Sequence, residues 1–271
     1  MTAEPVSSEV AGRGRRRPPP VPVEVVSTAW LTPRLVSIRV RGHDLSRFAD
    51  APATSHIKVF LPADGQDAPV LPAIAPDGTR EWPEGVARPV MRTYTPRGLD
   101  GDVLEIQFVV HGDGPASAWA AGARPGSRIA IGGPGGRVPL DFAGERWWIA
   151  GDESAIPAIG TLLERIPPSS EGVVHVEIAA PADRVELTAP SGVEVRWHVR
   201  EGREWGAPLE AAAAGAAVDP AAQYWVACEA TAVRRIRAAL LAAGVARERL
   251  VTRGYWRAGE PDHSDHDYGE D

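Results

Sequence analysis

The segment Arg92-Thr93-Tyr94-Thr95 sets a cation, an aromatic ring and two hydroxyls on four consecutive residues at the end of a strand-like run. Alternate residues of an extended chain share a face. One strand can therefore offer a guanidinium to a diphosphate while a ring and a hydroxyl meet a planar heterocycle. Those are the needs of a flavin, although four residues alone read equally well as an edge strand with a surface arginine. Further on, His111-Gly112-Asp113-Gly114-Pro115-Ala116-Ser117 has two glycines for a tight turn and a proline suited to a first helical turn. Unpaired N–H groups at such a helix start receive phosphate, and Ser117 adds a hydroxyl. A second glycine-rich run, 131–137 (IGGPGGR), would let backbone approach a planar ligand closely, and alone it is a loop.

Gly151-Asp152-Glu153-Ser154-Ala155 follows a short apolar run at 146–150. That is the carboxyl end of a strand, where nucleotides bind in open parallel sheets. The pattern is not G-x-G-x-x-G, and the same residues read as a helix start capped by Asp152 or Ser154. The single cysteine, Cys228, excludes an intrachain disulfide framework, a Cys-ligated zinc site and a four-cysteine iron–sulfur cluster. Residues 262–267 (DHSDHD) hold carboxylates and imidazoles, but a solvated tail is the simpler reading of that run, and no metal site is expected. Lys58 is the one lysine among 29 basic residues. A compact ammonium is not interchangeable with a guanidinium; Lys58 is either a chance survivor of an arginine-biased composition or a residue kept for its point charge.

Two kinds of element must position these groups. Up to about residue 131 the chain reads as short strands, at 23–30, 35–41, 56–61, 90–96, 103–111 and 128–132. The clearest puts Leu104, Ile106, Phe108 and Val110 on one face. Residues 62–89, rich in proline and glycine, read as a surface excursion. After about residue 145, strands at 146–150, 173–180, 193–198, 224–228 and 250–255 alternate with helices at 154–165, 207–217 and 231–243. That alternation predicts a parallel sheet covered on both faces. The expected organisation is an antiparallel barrel or sandwich over 21–144 followed by an α/β domain over 145–259, a choice that the resemblance named below settles as a β-barrel plus α/β. A flexible extension over 1–20 and an acidic flexible tail over 260–271 complete the expected organisation.

The 271 residues, 44% of them hydrophobic, suffice for two cores without staples. Six acidic residues lie beyond Gly259, so the net charge of −7 belongs mostly to the tail and the body is near neutral. Nucleic-acid binding, which needs a clustered basic face, is not expected. Apolar runs fall far short of the ~20 residues of a membrane span. The arginines at 13–17 precede PPPVP rather than an apolar segment, against a cleaved export signal. A cytoplasmic monomer is expected.

RTYT (92–95), HGDGPAS-W (111–119), GDESAIPAI (151–159) and GYWRAG (254–259), in this order, resemble the siderophore-interacting protein family, over about residues 22–259. That family comprises flavin-dependent ferric-siderophore reductases related to the ferredoxin reductases. The resemblance implies an FAD-binding barrel and a C-terminal NAD(P)H-type domain, with NADPH or NADH as electron donor and a ferric siderophore as substrate. Carried over by motif, Arg92, Thr93, Tyr94 and Thr95 meet the flavin and its phosphates, and His111, Asp113, Gly114, Ala116 and Ser117 cradle the pyrophosphate. Gly151, Asp152, Glu153, Ser154 and Ala155 face the nicotinamide nucleotide. Lys58 and Arg257 are the implied cations of the acceptor pocket. No protein residue is expected to act as acid, base or nucleophile, because the flavin carries the chemistry. Where related reductases have a cysteine-glycine pair, this chain reads Cys228-Glu229, so Cys228 is taken as structural. A general flavin or ferric reductase, and a flavoprotein carrier with little turnover, are the alternative functions.

Overall fold

The computed structural model describes residues 18–75, 79–112, 114–136, 140–260 and 267–269. Nine strands form its first half: β1 (Val21–Thr32), β2 (Leu35–Gly42), β3 (His56–Leu61), β4 (Ala73–Ile74), β5 (Arg80–Glu81), β6 (Val90–Tyr94), β7 (Pro96–Asp100), β8 (Val103–Val109) and β9 (Arg128–Gly135). Seven of them make one sheet in the order β6-β3-β9-β1-β2-β8-β7, with every pairing antiparallel. Its two edge strands, β6 and β7, are separated in the chain by Thr95 alone. The sheet must therefore curl until its edges meet, which makes it a barrel, one of the two architectures that the strand pattern allowed and the one that the resemblance implied. Val23, Val25, Ile38, Val40, Ile57, Val59, Leu104, Ile106, Phe108 and Ile129 fill the interior by alternation. The run at 90–96 is in fact two strands, and β7 escaped the pattern because Pro96 and Gly98 break its alternation. The pair β4–β5 lies within the 62–89 excursion. Helix α1 (Pro115–Gly122) follows β8.

The second half carries β10 (Arg146–Gly151), α2 (Ile156–Leu163), β11 (Glu171–Ile178), β12 (Gly192–Val199), α3 (Ala207–Ala214), β13 (Gln223–Glu229), α4 (Ala230–Ala242) and β14 (Leu250–Trp256). Its sheet runs β12-β11-β10-β13-β14 and is parallel throughout. The first strand thus lies in the middle, and the order reverses between β10 and β13. Ligands bind at such a switch point, beyond the carboxyl ends of the two strands. One face packs Ile149, Val174 and Val176 under α2; the other packs Trp148, Tyr224 and Val226 under α3 and α4. Val233, Ile236 and Leu240 form the buried side of α4, with Leu241 half-buried at its margin. Cys228 is wholly buried among the residues under α4.

The two sheets are packed together. Leu35 and Ala53 belong to the same apolar cluster as α2. Arg97 of β7 makes a bidentate pair with Glu164 (2.6 and 3.0 Å), Thr54 N–H donates to Thr161 Oγ1 (3.1 Å), and Arg34 reaches the buried Asp183 (2.7 Å). Among the described residues no helix is long and apolar enough to cross a membrane.

Candidate functional site

Strand β6 is paired with β3 so that Ile57 faces Tyr94, Lys58 faces Thr93 and Val59 faces Arg92. Directly opposed residues share a face. Arg92 and Tyr94 therefore lie half-buried on the inward side, while Thr93 and Lys58 lie on the other. The Tyr94 ring packs on Phe108 with centroids 4.2 Å apart, and burial drives its phenol pKa upward. The Lys58 ammonium donates to Thr93 Oγ1 at 2.7 Å. Thr95 is buried where β6 passes into β7, and its side chain lies beside the Tyr255 phenol of β14. The RTYT segment thus reaches from the barrel to the parallel sheet.

At the end of β8 the predicted turn and helix are present, with Gly114 as the N-cap of α1 and Pro115 in its first turn. The exposed His111 has its ring 6.3 Å from that of Trp256. Ser117, expected to offer its hydroxyl to phosphate, is buried instead: it donates to His111 C=O (2.8 Å) and accepts from His111 N–H (3.0 Å). These two bonds lock the turn. Asp113 lies outside the described residues. The glycine-rich turn at the end of β9 does bring backbone close to a planar group, but that group is the His56 imidazole. A Cβ on Gly135 or Gly136 would stand 2.8 or 2.6 Å from its nitrogens.

The turn after β10 lies at the switch point, with its side chains directed inward. Asp152 is 2% exposed and accepts from Ser154 N–H (2.9 Å), Ser154 Oγ (2.5 Å), Glu229 N–H (3.0 Å) and Trp256 Nε1 (2.8 Å). Burial, reinforced by the negative Glu153, raises its pKa to about 7 against the hydrogen bonds that favour the anion. Glu153 pairs with Arg200 at 3.1 Å, and Arg200 also binds the fully buried Glu177 at 2.8 Å. Gly151 and Ala155 are buried too: a Cβ on Gly151 would come within 2.6 Å of Ala155. A nucleotide can meet this turn through backbone and Ser154. Of the other expected residues, the Asp152 and Glu153 side chains are engaged within the chain, tying β10 to β11, β13 and β14, and Ala155 is packed against Gly151.

Sequence reasoning missed Arg200, Trp205 and Trp256. The Arg200 guanidinium lies 3.6 Å from the Trp205 ring centroid, and Trp205 meets Trp256 edge-on at 4.7 Å. With His111 this makes a cationic and aromatic wall at the carboxyl end of the parallel sheet. The lone-arginine-plus-tryptophan spacing of Arg200 and Trp205 carries no local signature that could have revealed it.

Arg257 pairs with Glu260 (3.2 Å) and Asp267 (3.8 Å), and its buried Nε has no partner among the described residues. The expected solvated tail is corrected at 267–269. The Asp267 side chain is 6% exposed and binds Arg234 at 3.0 Å, and its carbonyl accepts from Gly254 N–H at 2.9 Å. Tyr268 lies under Arg253 (4.0 Å to the ring centroid) and accepts from Thr252 through its carbonyl. The structure thus joins Lys58 to Thr93 and Arg257 to acidic residues. Cys228 is buried beneath α4, and burial pushes its thiol pKa well up. Among the described residues no group of three His, Cys, Asp or Glu could hold a metal.

Two family models match: a siderophore-interacting FAD-binding domain over residues 24–138 and a siderophore-interacting protein over residues 145–259. The chain is 41% identical over 185 residues to an uncharacterized protein of Mycobacterium tuberculosis, covering 66% of this chain and 65% of that one, less than two thirds of the relative's length. It is 32% identical over 252 residues to ferric vibriobactin reductase ViuB of Vibrio cholerae, covering 90% and 92%. Its fold matches the crystal structure of a siderophore utilization protein from T. fusca with a TM-score of 0.81 at 31% identity, covering 90% and 95%.

Proposed function

The chain belongs to the siderophore-interacting protein family, and on that footing we propose that it is an FAD-dependent reductase of ferric siderophores, driven by NADPH or NADH in the cytoplasm. The observation that carries the reading is the meeting of two sites. The RTYT strand and the His111 turn of the barrel stand against the switch-point crevice of the parallel sheet, joined by Thr95 to Tyr255 and by His111 beside Trp256. A ligand lying along the barrel edge is there within reach of one entering at the carboxyl ends of β10 and β13. In this reading residues 21–144 hold the flavin and 145–259 the nicotinamide nucleotide.

The donor set fits FAD. Arg92 offers a fixed cation to the diphosphate, the first turn of α1 offers free N–H groups, and Tyr94 supplies an aromatic edge beside the heterocycle. Bound FAD would supply the coupling between a two-electron donor and one-electron acceptors, so that one NAD(P)H reduces two Fe(III) chelates and releases one proton. The protein's own part is to bind, orient and exclude water. Lys58, on the outer side of β3, is proposed to receive an anionic chelate as a compact point charge. Arg257 is its proposed companion, and a chelate must there compete with Glu260 and Asp267.

The test is direct. Purified protein should be yellow, or become so with FAD, and should oxidise NAD(P)H on addition of a ferric siderophore, with Fe(II) captured by a ferrous-specific chromophore. A protein that stays colourless after FAD is added would overturn the reading. Flavin binding with NAD(P)H oxidation but no Fe(II) would leave a flavoprotein of another kind.

A further inference from the structure

Asp152 bonds to the ends of three strands at the switch point. Its carboxylate takes Ser154 just beyond β10, the Glu229 amide of β13 and the Trp256 indole of β14. The indole it holds stands in the crevice, between His111 of the barrel and Trp205, which in turn covers Arg200. We propose that Asp152 is a positioning residue: its anion fixes the Trp256 indole at one place between the two halves of the molecule. That place is where the flavin and nicotinamide sites adjoin, so the inference rests on the function proposed above.

The hydrogen-bond chemistry makes this contact conditional. All four groups around the carboxylate are donors, two to each oxygen. A protonated Asp152 needs an acceptor, and only the Ser154 hydroxyl can turn from donor to acceptor. Proton uptake therefore falls on Oδ1. It leaves Trp256 and the Glu229 amide on a neutral carbonyl, without the charge assistance that strengthens such bonds. The groups facing Asp152 are Glu153 on its own turn, Glu177 of β11, Cys228 of β13, and Tyr255 and Trp256 of β14, with Glu229 beside it and Arg200 holding Glu153 and Glu177. Burial, reinforced by Glu153 and to a smaller extent Glu177, brings proton uptake to about pH 7. As pH falls through that value the grip on Trp256 loosens.

The nine tryptophans give separate indole N–H resonances in a 1H–15N spectrum of the full chain, recorded with and without FAD. The Trp256 signal is identified by its loss in Trp256→Phe. In the unsubstituted protein it should titrate near pH 7, with about tenfold faster solvent exchange on the acid side, equivalent to ~1.4 kcal/mol. Asp152→Asn, whose carbonyl can still accept from the indole, should keep the resonance hydrogen-bonded but make it independent of pH. Asp152→Ala should expose it at every pH and slow flavin reduction by NAD(P)H, while FAD occupancy holds. An indole that does not titrate between pH 5.5 and 8.5, or that is unmoved by Asp152→Ala, would overturn the proposal. Because the indole is also read without cofactor, failure to bind FAD would sink the proposed function and leave this inference to be judged on its own signal.

Discussion

Replacing Arg200 with methionine should unbalance the interior of the parallel-sheet half. The side chain of Arg200 is 9% exposed, and its two carboxylate partners, Glu153 and Glu177, are 12% and 0% exposed. Their contacts are 2.8 Å to Glu177 and 3.1 and 3.4 Å to Glu153. Glu177 keeps one further donor, the Gly206 amide at 3.2 Å, while its buried Oε2 has no partner among the described residues. Methionine matches the aliphatic part of arginine but leaves two buried carboxylates facing each other. Removing one partner of a buried ion pair costs about 3–5 kcal/mol. At roughly 2–4 °C per kcal/mol for a chain of this size, Tm should fall by about 6–20 °C. The sign of the pH dependence follows from Glu177, whose pKa burial already raises above 4.5 while Arg200 holds it down. A carboxyl with a raised folded pKa gives its stability below the unfolded value and loses it as pH rises through the folded one. Without Arg200 that folded pKa climbs further, so the deficit should be small near pH 5 and full at pH 8. Urea unfolding at both pH values measures it, and adding Glu177→Gln should recover part of the loss at pH 8. A variant within ~1 kcal/mol of the parent at pH 8, or an equal loss at both pH values, would refute the reasoning.

Arg92→Ala should weaken FAD binding by roughly 10–150-fold, the equivalent of one charge-assisted contact of about 1.5–3 kcal/mol, as read by flavin titration. Lys58→Ala should raise KM for an anionic ferric chelate and spare a neutral or cationic one, with the rate of flavin reduction unchanged in stopped flow. Asp267→Asn should lower KM for the anionic chelate by freeing Arg257, an effect that fades with salt. Ending the chain at 266 should instead lower Tm, because Asp267, Tyr268 and Gly269 pack on β14 and α4; an unchanged melting curve would show that this packing adds nothing.

What the sequence determined by itself was whatever is written in neighbouring residues. Alternation in Leu104, Ile106 and Phe108 fixed a strand and its inner face, and the spacing of Val233, Ile236 and Leu240 fixed the buried side of a helix. Strands followed by strand–helix alternation announced an antiparallel and then a parallel sheet, and the four ordered motifs named the family. Local periodicity suffices there because burial of one face is a property of a segment. Tertiary structure alone decided where each polar group finds its partner. Asp152, legible as a cap, became the tie of three strands because β13 and β14 end beside it, 77 and 104 residues further on. Glu153 and Glu177 meet only at Arg200, and Asp267 left the expected tail to bind Arg234. A buried charge must be paired by whatever the fold brings within about 3 Å, and no local pattern encodes that neighbour.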